Sequence, residues 1–134
     1  MNNKQLQIVT YKKAQKLKKL GFEWKVNGCY FFDGLFEQYD FVENFNCPGR
    51  EVLEMDCDEP SECFSAPTVA LALKWFRDVN GMYGYVFPYN RVDGISFGLD
   101  YKGYKKWNFG SYDNAESALL DKFIKLLENG KENN

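Results

Sequence analysis

The densest group of potential ligands in this chain is Asp56-Cys57-Asp58-Glu59, followed at short range by Glu62-Cys63. Oxygen-rich loops bind Ca²⁺, and two thiolates beside carboxylates could hold Zn²⁺. The stretch lacks the glycine and the ligand alternation of an EF-hand, and its cysteine spacing matches no standard zinc knuckle. Asp56, Asp58, Glu59 and Glu62 therefore read first as a solvated acidic loop and only second as metal ligands; no cofactor is expected. Histidine is absent, which removes the usual general base near neutral pH and the commonest metal ligand. No phosphate-cradling glycine loop, dinucleotide fingerprint, nucleophile elbow or metalloprotease motif occurs. No catalytic residue is assigned, and a histidine-free hydrolase working through paired carboxylates ranks third among the functional readings.

Aromatic side chains offer a different kind of chemistry. Nine Tyr, twelve Phe and three Trp make up 18% of the chain, more rings than a core of this size needs. Tyr83, Tyr85, Phe87 and Tyr89 alternate along one predicted strand, so they share a face. Left open, that face is a stacking or docking surface for a base, a peptide or a partner protein. Covered by a helix, the same rings are core, which is the expectation for at least half of them. Tyr83, Tyr85, Tyr89, Tyr101 and Trp107 are the candidate binding residues.

These side chains must be positioned by a small number of elements. A chain of 134 residues fits one domain with a true core. Thr10 caps a predicted helix to about Leu20, stopped by Gly21 and studded with lysines. Phe22, Trp24 and Val26 then alternate, with Asn27-Gly28 as a hairpin signal and Cys29–Phe32 as the returning strand. Asp33-Gly34 turns into a third strand within 35–45. Residues 46–67 read as an irregular acidic connection in which only Glu51–Met55 could form a short strand. Pro67 suits the first turn of a helix whose buried stripe is Val69, Ala72, Leu73, Phe76 and Val79, ending at Asn80-Gly81. Three strands follow: Tyr83–Tyr89, broken at Pro88; Ile95–Tyr101; and Lys106–Ser111, after a turn at Gly103. Asp113 and Glu116 have capping-box spacing for a last helix over 114–128, closed by Asn129-Gly130. The expected class is α+β: a single domain with an antiparallel sheet and helices mainly on one face, ordered helix–hairpin and then α-β-β-β-α over 66–130.

Charge is segregated along the chain although the net is only −2. Residues 1–25 carry seven Lys against Glu23, and residues 26–62 carry ten acids against Arg50. Attraction between these two stretches within the fold is the default reading. No run approaches the roughly 18 apolar residues of a membrane span, and Met1–Gln7 lacks the apolar stretch of a secretory signal. A cytoplasmic, non-membrane protein with four reduced cysteines is expected.

Three stretches carry a family resemblance. Ala66-Pro67-Thr68-Val69-Ala70-Leu71-Ala72-Leu73-Lys74-Trp75-Phe76-Arg77 resembles the "APT-x-ALA-x-KW-x-R" helix of an uncharacterised family of small proteins from gut Bacteroidales genomes, prophages and phages. Tyr112 to Leu127 is similar to that family's closing helix, and Leu20-Gly21-Phe22 to its "L-x-x-KGF" opening. The similarity covers the outer two-thirds of the chain and leaves Asp33–Glu62 unmatched. It implies a shared fold and an accessory protein of a bacterial mobile element, with no catalytic residues to transfer. The leading expectation is thus a non-enzymatic binding protein acting on a host protein or small ligand. The order over 66–130 also resembles the double-stranded-RNA-binding domain, whose last helix grips phosphate with lysines. Asp113, Asn114 and Glu116 stand there instead, and Lys102, Lys105 and Lys106 lie one strand earlier, so nucleic-acid binding is the runner-up. Gly81-Met82-Tyr83-Gly84 has the GxxG form of a nucleic-acid clamp but no basic residue, and reads as a helix stop.

Overall fold

The computed structural model describes residues 7–46, 52–53 and 60–132. Its class is α+β: among the described residues there are three helices, with the longer antiparallel strands divided between two three-stranded sheets. The described chain divides into two compact units, Ile8–Thr68 and the remainder. None of the described helices is long and apolar enough to cross a membrane.

In the first unit, α1 spans Tyr11–Lys19, capped by Thr10, whose hydroxyl accepts from Lys13 N at 3.3 Å. Ala14 and Leu17 are its buried positions, and Gly21 leaves it at φ +97°, a backbone conformation that suits glycine. The strand expected at 22–26 is not there. Instead β1 is Val26–Phe31 and runs straight through Asn27-Gly28. The ring of Phe36 lies so close over Gly28 that a Cβ would meet it at 2.9 Å. This glycine therefore serves close packing at a register shift between Val26 and Gly28, and the turn falls at Asp33-Gly34. β2, Phe36–Glu43, pairs with β1, and so does β5, Cys63–Ser65, giving the order β2-β1-β5. Two short strands, β3 (Val52–Leu53) and β4 (Pro60–Ser61), pair within the connection.

The sheet is completed by a side chain. Buried Asn46 donates from Nδ2 to Phe22 O at 3.0 Å and accepts from Ser65 N at 2.8 Å. Ser65 Oγ in turn accepts from Phe45 N at 3.0 Å. Buried polar groups persist where they are satisfied in this way.

The second unit is built from α2 (Val69–Asn80), β6 (Tyr85–Arg91), β7 (Gly94–Tyr101), β8 (Tyr104–Phe109) and α3 (Tyr112–Glu132). The order α-β-β-β-α is the one expected, with four local corrections. Pro67 stands two residues before α2 and its carbonyl accepts from Val9 N. Val79 is 55% exposed, the stripe being Val69, Ala72, Trp75 and Phe76. β6 continues through Pro88, which an edge strand tolerates because its outer side lacks a ladder partner. Finally, α3 is capped by Ser111, whose Oγ accepts from Asn114 N at 3.1 Å. Asp113 is already inside the first turn, and the helix runs on past Asn129-Gly130. Phe76 meets Phe123 at 5.5 Å between ring centroids, and Leu119, Leu120 and Ile124 are buried with them.

Candidate binding face

Strand alternation sorts the second sheet into two faces. Opposite partners on β6 and β7 share a face: Val86 with Leu99 and Pro88 with Phe97 on one, Tyr85 with Asp100, Phe87 with Gly98 and Tyr89 with Ser96 on the other. α3 lies on the first. There Tyr101 meets Phe123 at 5.0 Å and Phe97 meets Tyr112 at 6.0 Å, both edge-on. Leu119 and Phe123 come so near Gly84 that a Cβ would stand 3.0 Å from each. Among the described residues, no helix of this unit lies on the remaining face.

That open face is a continuous set of rings. Centroids are 5.9 Å apart for Tyr85 and Phe87, 6.3 Å for Phe87 and Tyr89, 5.3 Å for Phe87 and Trp107, and 5.0 Å for Tyr89 and Trp107. Trp107 stands nearly perpendicular to both of its neighbours, a favoured aromatic geometry. Phe87 lies over Gly98, where a Cβ would meet its ring at 2.7 Å. Tyr85 is 60% exposed and Trp107 47%, so the outer rings of the set are wet.

A bulge aims Trp107. Phe97 pairs with Phe109 and Leu99 with Lys106, so Trp107 and Asn108 together stand opposite Gly98. Asn108 absorbs the extra residue at φ +72°, a region that asparagine tolerates better than most side chains. Its backbone N–H donates to Tyr89 Oη at 2.9 Å, while its Oδ1 accepts from Tyr89 Oη at 2.9 Å and from Arg91 Nη1 at 2.6 Å. At the other end Tyr85 Oη donates to Asp100 Oδ2 at 3.3 Å. Lys105 pairs with Asp100 at 3.9 Å and Arg91 with Asp93 at 3.5 Å. The face thus joins an apolar centre to hydrogen-bonding ends, each cation beside an acid.

Of the five residues singled out from the sequence, Tyr85, Tyr89 and Trp107 come together here. Tyr83 is 64% exposed on the segment before β6, and Tyr101 faces α3. Of the alternating rings, Phe87 and Tyr89 are half-buried and Tyr83 and Tyr85 exposed, and the fully buried side chain of this sheet is Leu99, on the side that α3 takes. Asn108, Arg91 and Asp100 were not singled out. Gly98 keeps the alternation of β7 and stands opposite Phe87, so the sequence alone does not signal that a ring lies across that strand.

Elsewhere the chemistry is quiet. Asp56, Asp58 and Glu59 lie outside the described residues, while Glu62 pairs with Lys18 at 2.6 Å. Among the described residues no group of three potential metal ligands forms. Cys29 and Cys63 are fully buried free thiols on neighbouring strands. A hydrogen bond with Cys63 that favours the protonated thiol, and then burial, push the Cys29 thiol well up, which suppresses the reactive thiolate. Burial foremost pushes Tyr39 up to about 12. Burial and the nearby Asp113 raise Glu116, yet Asp113 is exposed on the first turn of α3. Among the described residues, a cavity of about 600 Å³ beside α1 is lined by one carboxylate, Glu62, and one of about 190 Å³ beside α3 by one, Asp121. No family model, curated protein or solved structure matches this chain.

Proposed function

We propose that this chain is a non-enzymatic binding protein that docks a partner protein on the open face of the β6-β7-β8 sheet. The observation that carries this reading is the ring set Tyr85–Phe87–Trp107–Tyr89, exposed at Tyr85 and Trp107 and half-buried at Phe87 and Tyr89, set by a bulge and a close-packed glycine rather than by any need of the core. Aromatic anchors framed by polar groups are what concentrate binding energy at protein interfaces. Pairing of Lys105 with Asp100 and of Arg91 with Asp93 leaves the face without net positive charge, which favours a protein surface over a phosphate backbone. Asp113 and Asn114 on the exposed first turn of α3 weigh against a duplex-RNA grip in the same sense. The partner is a host protein and the chain an accessory factor of a bacterial mobile element, acting in the cytoplasm; the motifs around Ala66–Arg77 and Tyr112–Leu127 support that setting.

The test compares wild type with a Tyr85→Ala, Trp107→Ala variant, both checked as folded by circular dichroism, in quantitative pull-downs from bacterial lysate. A protein enriched by wild type and lost with the variant, whose purified form then quenches Trp fluorescence on mixing with wild type, is the expected result. Identical capture by both chains overturns the reading.

A further inference from the structure

Four strands form the edges of the two three-stranded sheets, β2 and β5 in one and β6 and β8 in the other. β5 is buried along its length, and β6 carries Pro88, which has no N–H to offer a further strand. β2 and β8 are exposed over most of their lengths. Their main-chain groups can be followed outward. Phe31 N donates to Leu35 O at 2.9 Å, so alternation turns the N–H and C=O of Phe36 and Gln38 away from β1. On the other sheet Lys102 and Gly103, at φ +51° and +84°, form a two-residue turn that sets Tyr101 opposite Tyr104. The bonded pair that closes such a hairpin leaves the main chain of Lys105 facing away from β7. Register shifts beyond Gln38 and beyond Lys106 confine the regular stretches to 36–38 and 104–106.

Charge distinguishes the two edges. β2 carries Glu37, Asp40 and Glu43 and no base, while β8 carries Lys105 and Lys106 and no acid. Lys105 already leans on Asp100 at 3.9 Å. Glu37, Asp40 and Lys106 have no ion-pair partner among the described residues. Two β2 edges laid together would oppose acid to acid, and two β8 edges base to base, which destabilises a strand pair. β2 against β8 opposes unlike charges instead.

We infer that the occupant of the β2 edge is the β8 edge of a second copy of this chain, joined antiparallel with Gln38 opposite Lys105 and Glu37 opposite Lys106. Main-chain hydrogen bonds supply the attraction, as in other cases of strand addition to a sheet edge. The Glu37–Lys106 pair selects the partner edge and fixes the register. The contact uses the rims of the two sheets, not the aromatic face, and does not depend on the function assigned to that face.

The test is sedimentation velocity of the full chain from about 10 μM to about 1 mM at low salt, the range in which so small a contact associates. Circular dichroism checks that each variant is folded. Wild type should gain mass with concentration and lose that gain as salt is raised. Glu37→Lys and Lys106→Glu each set like charges across the joint and should weaken association by about fivefold or more. The two variants mixed, or one chain carrying both substitutions, should recover it. Glu37→Lys also removes the net charge of −2, so association driven by low net charge alone would rise in that variant. A chain monomeric at every concentration, which would leave the edges to a strand of another protein, overturns the pairing. So does stronger association of Glu37→Lys, the result that pairing of two β2 edges would give, and so does failure of both the mixture and the double variant to recover.

Discussion

Asn46 shows how one side chain can stand in for a strand. Its amide supplies both a donor and an acceptor to backbone groups of Phe22 and Ser65 that are far apart in sequence, and Asn46 N itself donates to Asn44 Oδ1 at 2.9 Å. Removing the amide leaves a buried N–H and a buried carbonyl unpaired, each costing about 1–3 kcal/mol. Asn46→Ala should therefore lower unfolding stability by about 2 kcal/mol or more, read as a drop in the urea midpoint at unchanged slope. Asn46→Asp keeps the acceptor for Ser65 N but loses the donor to Phe22 O and brings a charge into the core, so it should be at least as damaging as Asn46→Ala. Stability within 0.5 kcal/mol of wild type for either would show that water can replace the amide. Nothing in the sequence marks this residue, since Asn in an acidic, turn-rich stretch reads as a loop residue. Its role depends on β5, a strand of three residues too short to carry a period.

At the scale of elements, the helices were legible where a cap or a stop acts locally. Thr10 and Gly21 bound α1 as their chemistry predicts, and Gly81, at φ +67°, ends α2. The same logic misplaced the start of α3. Asp113 and Glu116 have the right spacing for a capping box, but Ser111 precedes them and takes Asn114 N first. Ser111→Ala should cost about 1 kcal/mol, whereas Asp113→Ala removes only a first-turn charge, worth about 0.3–1 kcal/mol at low salt. Thermal melts in low and high salt separate the two: the Ser111 loss persists in salt and the Asp113 loss fades. Equal, salt-sensitive losses would restore Asp113 as the cap. The strands were less legible because glycine carries two meanings. Asn27-Gly28 has the composition of a hairpin turn, yet Gly28 is there to admit the Phe36 ring, and Gly98 likewise admits Phe87. Close approach across strands is a non-local demand, and a local pattern cannot tell it from a turn. The candidate face was half legible for the same reason: alternation identified Tyr85 and Tyr89, while the bulge that brings Trp107 and Asn108 beside them depends on pairing with β7.

For the molecule as a whole, charge and exposed apolar surface act against each other. Phe32, Leu35, Phe41 and Val42 are exposed on the β1–β2 hairpin, and β2 is an edge of its sheet, the kind of surface that invites association. Tyr85 and Trp107 add a second apolar patch on the other sheet. Opposing them is a net charge of only −2 at pH 7, with an isoelectric point of about 5.2. Lowering the pH from 7 protonates carboxylates, removes that residual charge near pH 5.2 and then makes the chain positive, so mutual repulsion passes through a minimum there. Self-association should accordingly peak near pH 5.2 and fall on either side, as read by sedimentation velocity between pH 4 and pH 8 at constant ionic strength. Phe41→Lys both removes an exposed ring and adds a charge, which should shift the peak to higher pH and lower it. Tyr85→Ala should lower it without moving it. Association that rises steadily with acid through pH 4, insensitive to both substitutions, would mean that unfolding rather than native surface drives it.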